Sequence, residues 1–193
     1  MRVTGTKFLT NQKWLNLVEA AYDHHGESGT WVFASRRAES MPGAWAADAV
    51  GVVAIVPGSG GARLSVVRET RVPTNGPVYA LPAGLLEHGE LPADAAAREL
   101  LEETGLKITR VLRISPPLYS SPGMTDEQVQ LVFVEARDDG TSQSLDGHEE
   151  IGSELWDLPR IRAYLAQPDL PCDARLYPIL VLCDLLGAVV LGS

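Results

Sequence analysis

Three features of the sequence predict a mixed α/β sheet covered by helices. Short aliphatic runs of strand length, Val50–Val56 the purest, recur along the chain. Segments of helical period alternate with those runs instead of following them, which implies helices packed on a sheet. An apolar content of 45% over 193 residues supplies the core such layers need.

Taken in order, Asn11–Tyr22 carries Trp14, Leu15, Leu17, Val18 and Ala21 at helical spacing and is expected to be a helix. The turn-like His24–Gly29 precedes an expected strand at Thr30–Arg36, and Arg37–Ala47 reads as a connection. These residues, 1–48, form an N-terminal helix/strand extension, a candidate for dimerisation. Residues 49–193 form the main domain. Val50–Val56 and Arg63–Glu69 are expected strands. Pro57-Gly58-Ser59-Gly60-Gly61 between them superficially resembles a phosphate-cradling loop, but a strand follows it and no Lys-Ser/Thr closes it, so it is read as a hairpin.

Val78–Leu81 is a short strand. A helix is expected from Pro92, suited to a first helical turn, to Thr104. Strands follow at Lys107–Ile114 and Val129–Glu135. Asp157 caps a helix reaching about Leu165, and Asp173 caps a buried terminal helix from Leu176 to Leu191. That last segment is shorter than a bilayer span and holds Pro178, Asp184 and Gly187, so no membrane partner is expected.

The net charge of −9 argues against a nucleic-acid partner, which requires a basic face. Cys172 and Cys183 read as reduced thiols, and the first residues lack the apolar core of a signal peptide, so a cytoplasmic protein is expected. His24 and His25 have no third ligand at a spacing that suits zinc.

The richest segment is Gly84-Leu-Leu-Glu-His-Gly-Glu90 through Arg98-Glu99-Leu100-Leu101-Glu102-Glu103-Thr104-Gly105-Leu106. At about 100° per residue, Glu99, Glu102 and Glu103 span an arc of roughly 100°. Ala93, Ala97, Leu100, Leu101 and Thr104 lie opposite, as an expected packing face. Like charges at i, i+3 and i, i+4 destabilise a helix unless something offsets them. Converging hard oxygens suit Mg²⁺, with Mn²⁺ as a substitute.

This segment resembles the signature of the Nudix hydrolases, G-x5-E-x7-R-E-U-x-E-E-x-G-U with U a bulky aliphatic residue. Gly84, Glu90, Arg98, Glu99, Leu100, Glu102, Glu103, Gly105 and Leu106 fill every fixed position. The resemblance implies an α/β/α sandwich with the short N-terminal extension, and Mg²⁺-dependent attack of water on a pyrophosphate. It implies Glu99 and Glu103 as principal ligands and Glu102 as a third. The carbonyl of Ala83 is a further ligand, and Arg98 orients a carboxylate. Glu90 braces Arg98 or meets a metal through water, while Gly84 and Gly105 serve loop and helix-end geometry.

A second resemblance, to the ADP-ribose pyrophosphatase-like members, rests on Leu81-Pro82-Ala83-Gly84, Arg68-Glu69-Thr70-Arg71 and Ser121-Pro122-Gly123. It implies a small-molecule nucleoside diphosphate substrate, Pro122 and Gly123 beside the terminal sugar, and Arg71 at a phosphate. Trp31 is the candidate for base stacking in a homodimer. A catalytic base or water-positioning residue comes from Glu149 or Glu150 in Asp146-Gly147-His148-Glu149-Glu150-Ile151. Thr74-Asn75-Gly76-Pro77 is longer than is usual for the subgroup. Dinucleoside polyphosphates, coenzyme A and oxidised nucleotides are alternative substrates, and a non-catalytic metabolite-sensing domain is the alternative from another class.

Overall fold

The computed structural model describes residues 1–37, 46–145, 147 and 150–190. Strands β1 (Arg2–Phe8), β2 (Asn16–His24) and β3 (Glu27–Ser35) come first, then β4 (Ala49–Val56), β5 (Arg63–Arg71), β6 (Gly76–Ala80) and β7 (Ala83–Leu85). Helix α1 (Pro92–Thr104) leads to β8 (Lys107–Ile114), β9 (Leu118–Tyr119), β10 (Gln128–Arg137) and β11 (Ile151–Trp156), with α2 (Leu158–Ala166) and α3 (Leu176–Val190) last. The chain divides into two units, one of residues 1–49 and 116–130, the other of residues 50–115 and 131–193.

The first unit holds a three-stranded antiparallel sheet in the order β1-β2-β3. The helix expected over Asn11–Tyr22 is therefore wrong, and with it the helical part of the extension. β2 pairs with β3 in unbroken register from Asn16↔Ser35 to His24↔Glu27. His25 and Gly26, at φ 54° and 85°, close the hairpin with positive φ at both central positions, as a two-residue primed turn requires. Val18 and Ala20 are buried in alternation, whereas Trp14, Leu15 and Leu17, counted toward a helical stripe, are exposed. Pairing on both edges of β2 overrides the helical spacing.

In the second unit, sheet neighbours run β11-β5-β4-β10-β8, with β6 beside β5 and β7 beside β4. The sheet is mixed. Side-chain alternation divides its residues between two cores. Val50, Val52, Ala54 and Val56 of β4 and Val132, Val134 and Ala136 of β10 pack with Ala95, Ala96 and Leu100 of α1. On the other face Val53, Leu64 and Val66 pack with Ile161 and Tyr164 of α2 and Leu176, Leu180 and Cys183 of α3. That is the expected α/β/α sandwich. Asp157 caps α2 by accepting the Arg160 amide. Asp173 does so in part for α3, taking the Arg175 amide at 2.7 Å. α3 is less buried than its composition suggests: Tyr177, Leu182, Leu185 and Leu186 are exposed.

Candidate active site

Helix α1 has Pro92 at its first position, where the missing N–H costs nothing, and it ends at Gly105 with φ 73°. The Gly105 amide returns to the Leu101 carbonyl at 2.9 Å. A Cβ on Gly105 would lie 2.0 Å from the Thr141 carbonyl oxygen, so both its conformation and its surroundings select glycine. The residues α1 buries are Ala95, Ala96, Leu100 and Glu103. This corrects the expected division into an acidic face and a packing face, because Ala97 is exposed and Glu103 points inward with the alanines.

A buried carboxylate needs a donor, and Glu103 has one: the Ala83 amide donates to Oε2 at 3.1 Å. Ala83 is itself held in place because the Val52 amide of β4 donates to the adjoining Pro82 carbonyl at 2.7 Å. The next residue, Gly84, lies directly beneath Glu99. A Cβ there would fall 1.8 Å from Glu99 Oε1. The glycine thus lets a carboxylate rest against the backbone.

Arg98 organises the remaining acids. It grips Glu90 through Nε at 3.0 Å and Nη2 at 2.9 Å, donates to Glu99 through Nη1 at 2.6 Å, and reaches Glu102 at 3.4 Å. Nη2 also donates to the Leu85 carbonyl, and the Glu87 amide donates to Glu90. The fork geometry of a guanidinium suits this bidentate role. Its hydrogen bonds hold the Glu90 carboxyl below its ordinary range, and Glu90 in turn raises the Arg98 pKa.

Three carboxylates (Glu90, Glu99, Glu102) share one guanidinium here, and a fourth, Glu103, is held by the Ala83 amide. Among the described residues, no three acidic, imidazole or thiol side chains stand arranged as a ready cage for an ion. The donor chemistry nevertheless fits a hard divalent cation: oxygen ligands only, an excess of negative charge, and a glycine cradle under one carboxylate.

The other expected residues are placed as follows. Arg71 ends β5 and pairs with Glu69 at 2.6 Å. Glu150 is exposed, and its carbonyl accepts the Thr70 amide at 3.2 Å, so Arg71 and Glu150 fall at one end of the β5–β11 pair. Glu149 lies outside the described residues, as does His148. In the first unit, exposed Trp31 donates through Nε1 to the Gly123 carbonyl at 3.2 Å. Trp31, Pro122 and Gly123 help line an apolar hollow of about 410 Å³ with Met1, Val3 and Phe33. Sequence reasoning missed Leu85 and Glu87, which act through backbone atoms that no residue pattern reveals. It also missed Gln143 and Ser144, which bond to the carbonyls of Glu103 and Glu102.

Set against known protein families, residues 45–178 match the NUDIX domain. The chain belongs to the Nudix family. A putative nudix hydrolase 2 of Caenorhabditis elegans is 32% identical over 165 residues, 82% of this chain and 73% of the relative. The ADP-ribose pyrophosphatase of Saccharomyces cerevisiae is 33% identical over 126 residues, 64% of this chain and 53% of that protein; the aligned region is thus about half of the yeast protein. A crystal structure of an ADP compounds hydrolase matches with a TM-score of 0.69 at 20% identity, covering 97% of this chain and 94% of that one. At that identity the likeness establishes the Nudix fold.

Proposed function

We propose that this Nudix protein hydrolyses the pyrophosphate bond of ADP-ribose or a related nucleoside diphosphate sugar, yielding a nucleoside monophosphate and a sugar phosphate. The observation that carries the reading is the carboxylate cluster around Arg98, joined to the Pro82-Ala83-Gly84 turn through the Glu103 carboxylate. The names of the yeast relative and of a mouse ADP-sugar pyrophosphatase, 28% identical over 189 residues, support the substrate class.

Glu99, Glu102 and Glu103 with the Ala83 carbonyl would hold Mg²⁺, or Mn²⁺ in its place. When bound, such an ion neutralises the diphosphate and lowers the pKa of water. The chain's own contribution is rigidity: α1 fixes the spacing of the three glutamates, and Arg98 orients two of them. Arg71 would meet a phosphate, and Glu149 or Glu150 would take the proton of the attacking water or position it. Pro122, Gly123 and Trp31 would contact the sugar and the base. The same reading includes a homodimer built on residues 1–48 and a cytoplasmic setting, in keeping with the two free cysteines.

The test is turnover of a substrate panel with Mg²⁺ and with Mn²⁺, phosphate being read after phosphatase treatment. The panel comprises ADP-ribose, other nucleoside diphosphate sugars, dinucleoside polyphosphates, coenzyme A and oxidised nucleotides. ADP-ribose or a nucleotide sugar should give the highest kcat/KM; a higher value for any other class overturns the substrate assignment. Glu103→Gln keeps an acceptor for the Ala83 amide and should fold, while kcat drops by a factor on the order of 10².

A further inference from the structure

The C-terminal end of α1 presents carbonyls with no intrahelical partner, and its last turn carries no basic side chain to offset them. The segment 138–145 supplies the partners instead. The Ser144 amide donates to the Glu102 carbonyl at 2.9 Å, and Gln143 Nε2 donates to the Glu103 carbonyl. The same Gln143 nitrogen lies 3.5 Å from the Ile151 carbonyl, at the first residue of β11. Leu145 packs against Val67, Ala80 and Ile151.

The segment's near end is fixed as well. Asp139 pairs with Lys107 at 3.0 Å and accepts from the Thr141 hydroxyl at 2.6 Å, and these two bonds hold its carboxyl at about 2. Thr141 then places its carbonyl against Gly105.

We propose that Gln143 is a positioning residue: its side-chain amide locks the backbone of Glu103 to the start of β11, setting the buried glutamate and Glu150, which precedes that strand, in fixed relation. The two backbone contacts of one amide tie the end of α1 to the first residue of β11. Gln143 reaches no reacting atom, so it acts only through those residues. The inference rests on the hydrolase reading above, because a fixed relation between the two matters only if both serve one reaction.

Two variants separate donation from shape. Gln143→Met keeps the length and removes the N–H; Gln143→Lys keeps a donor. On the best substrate of the panel, kcat of Gln143→Met should fall about tenfold with KM changed less than about twofold, the scale on which residues supporting a ligand act. Gln143→Lys should recover most of that loss. Deuterium exchange of the Leu101–Gly105 amides should quicken in Gln143→Met and stay slow in Gln143→Lys. An unchanged kcat in Gln143→Met, or a Gln143→Lys variant as slow as Gln143→Met, overturns the proposal. Unchanged exchange in Gln143→Met overturns the clamp even without turnover. A wild-type protein inactive on the whole panel would instead overturn the hydrolase reading, and exchange would still report on Gln143.

Discussion

At the scale of single residues, the site depends on what glycine lacks and on what one arginine holds. Gly84 has no positive φ, so alanine suits its backbone, and the atom a new Cβ would meet is the end of a flexible side chain, Glu99. Gly84→Ala should therefore leave Tm within about 3 °C while pushing the Glu99 carboxylate aside and lowering kcat at least tenfold. Steady-state kinetics beside a thermal melt would show it, and parallel losses in both would contradict it. The Glu90–Arg98 pair gives a pH signature. Its folded carboxyl lies below the ordinary 4.5, so the stabilisation is complete above about pH 4.5 and is lost as pH falls through the lower folded value. The Tm gap between wild type and Glu90→Gln should be constant near neutrality and shrink on acidification below pH 4.5. A gap that widens in acid would reverse the sign and defeat the assignment.

At the scale of elements, α1 shows how far periodicity reaches. Its ends were legible: Pro92 opens it and Gly105 closes it, each for a local backbone reason. Which arc turns inward was not, because the three glutamates read as one acidic face for a cation, opposite the packing face, whereas the Ala83 amide gives Glu103 a partner inside. β2 teaches the converse. Its residues satisfy a helical spacing, yet β3 offers backbone partners along its whole length and β1 pairs its other edge from Val18 to Asp23. Gly105→Ala tests the helix end directly. Positive φ costs a residue with a Cβ roughly 1–2 kcal/mol, and the Thr141 carbonyl 2.0 Å from that Cβ adds to it. Denaturant unfolding should show a loss of about 2 kcal/mol or more; a loss under about 0.5 kcal/mol would mean that the 138–145 segment yields freely.

At the scale of the whole molecule, the fold should not depend on a metal. Two cores lie on the two faces of the second unit's sheet, and Arg98 already offsets part of the acidic charge. Stripping divalent ions with EDTA should abolish turnover but preserve the far-UV dichroism, and restoring Mg²⁺ should raise Tm modestly, as ligand binding to the native state requires. Unfolding in EDTA would show the ion to be structural. The sequence by itself determined the family and most elements, because the Nudix signature, the helix caps and the alternating strands are carried by local residue patterns. Only the tertiary structure decided that Glu103 is buried on Ala83, that Glu99 rests on Gly84, and that Gln143 closes the helix. Each of those contacts joins residues at least 15 positions apart through a backbone group or a missing Cβ, and such partners leave no mark on residue spacing.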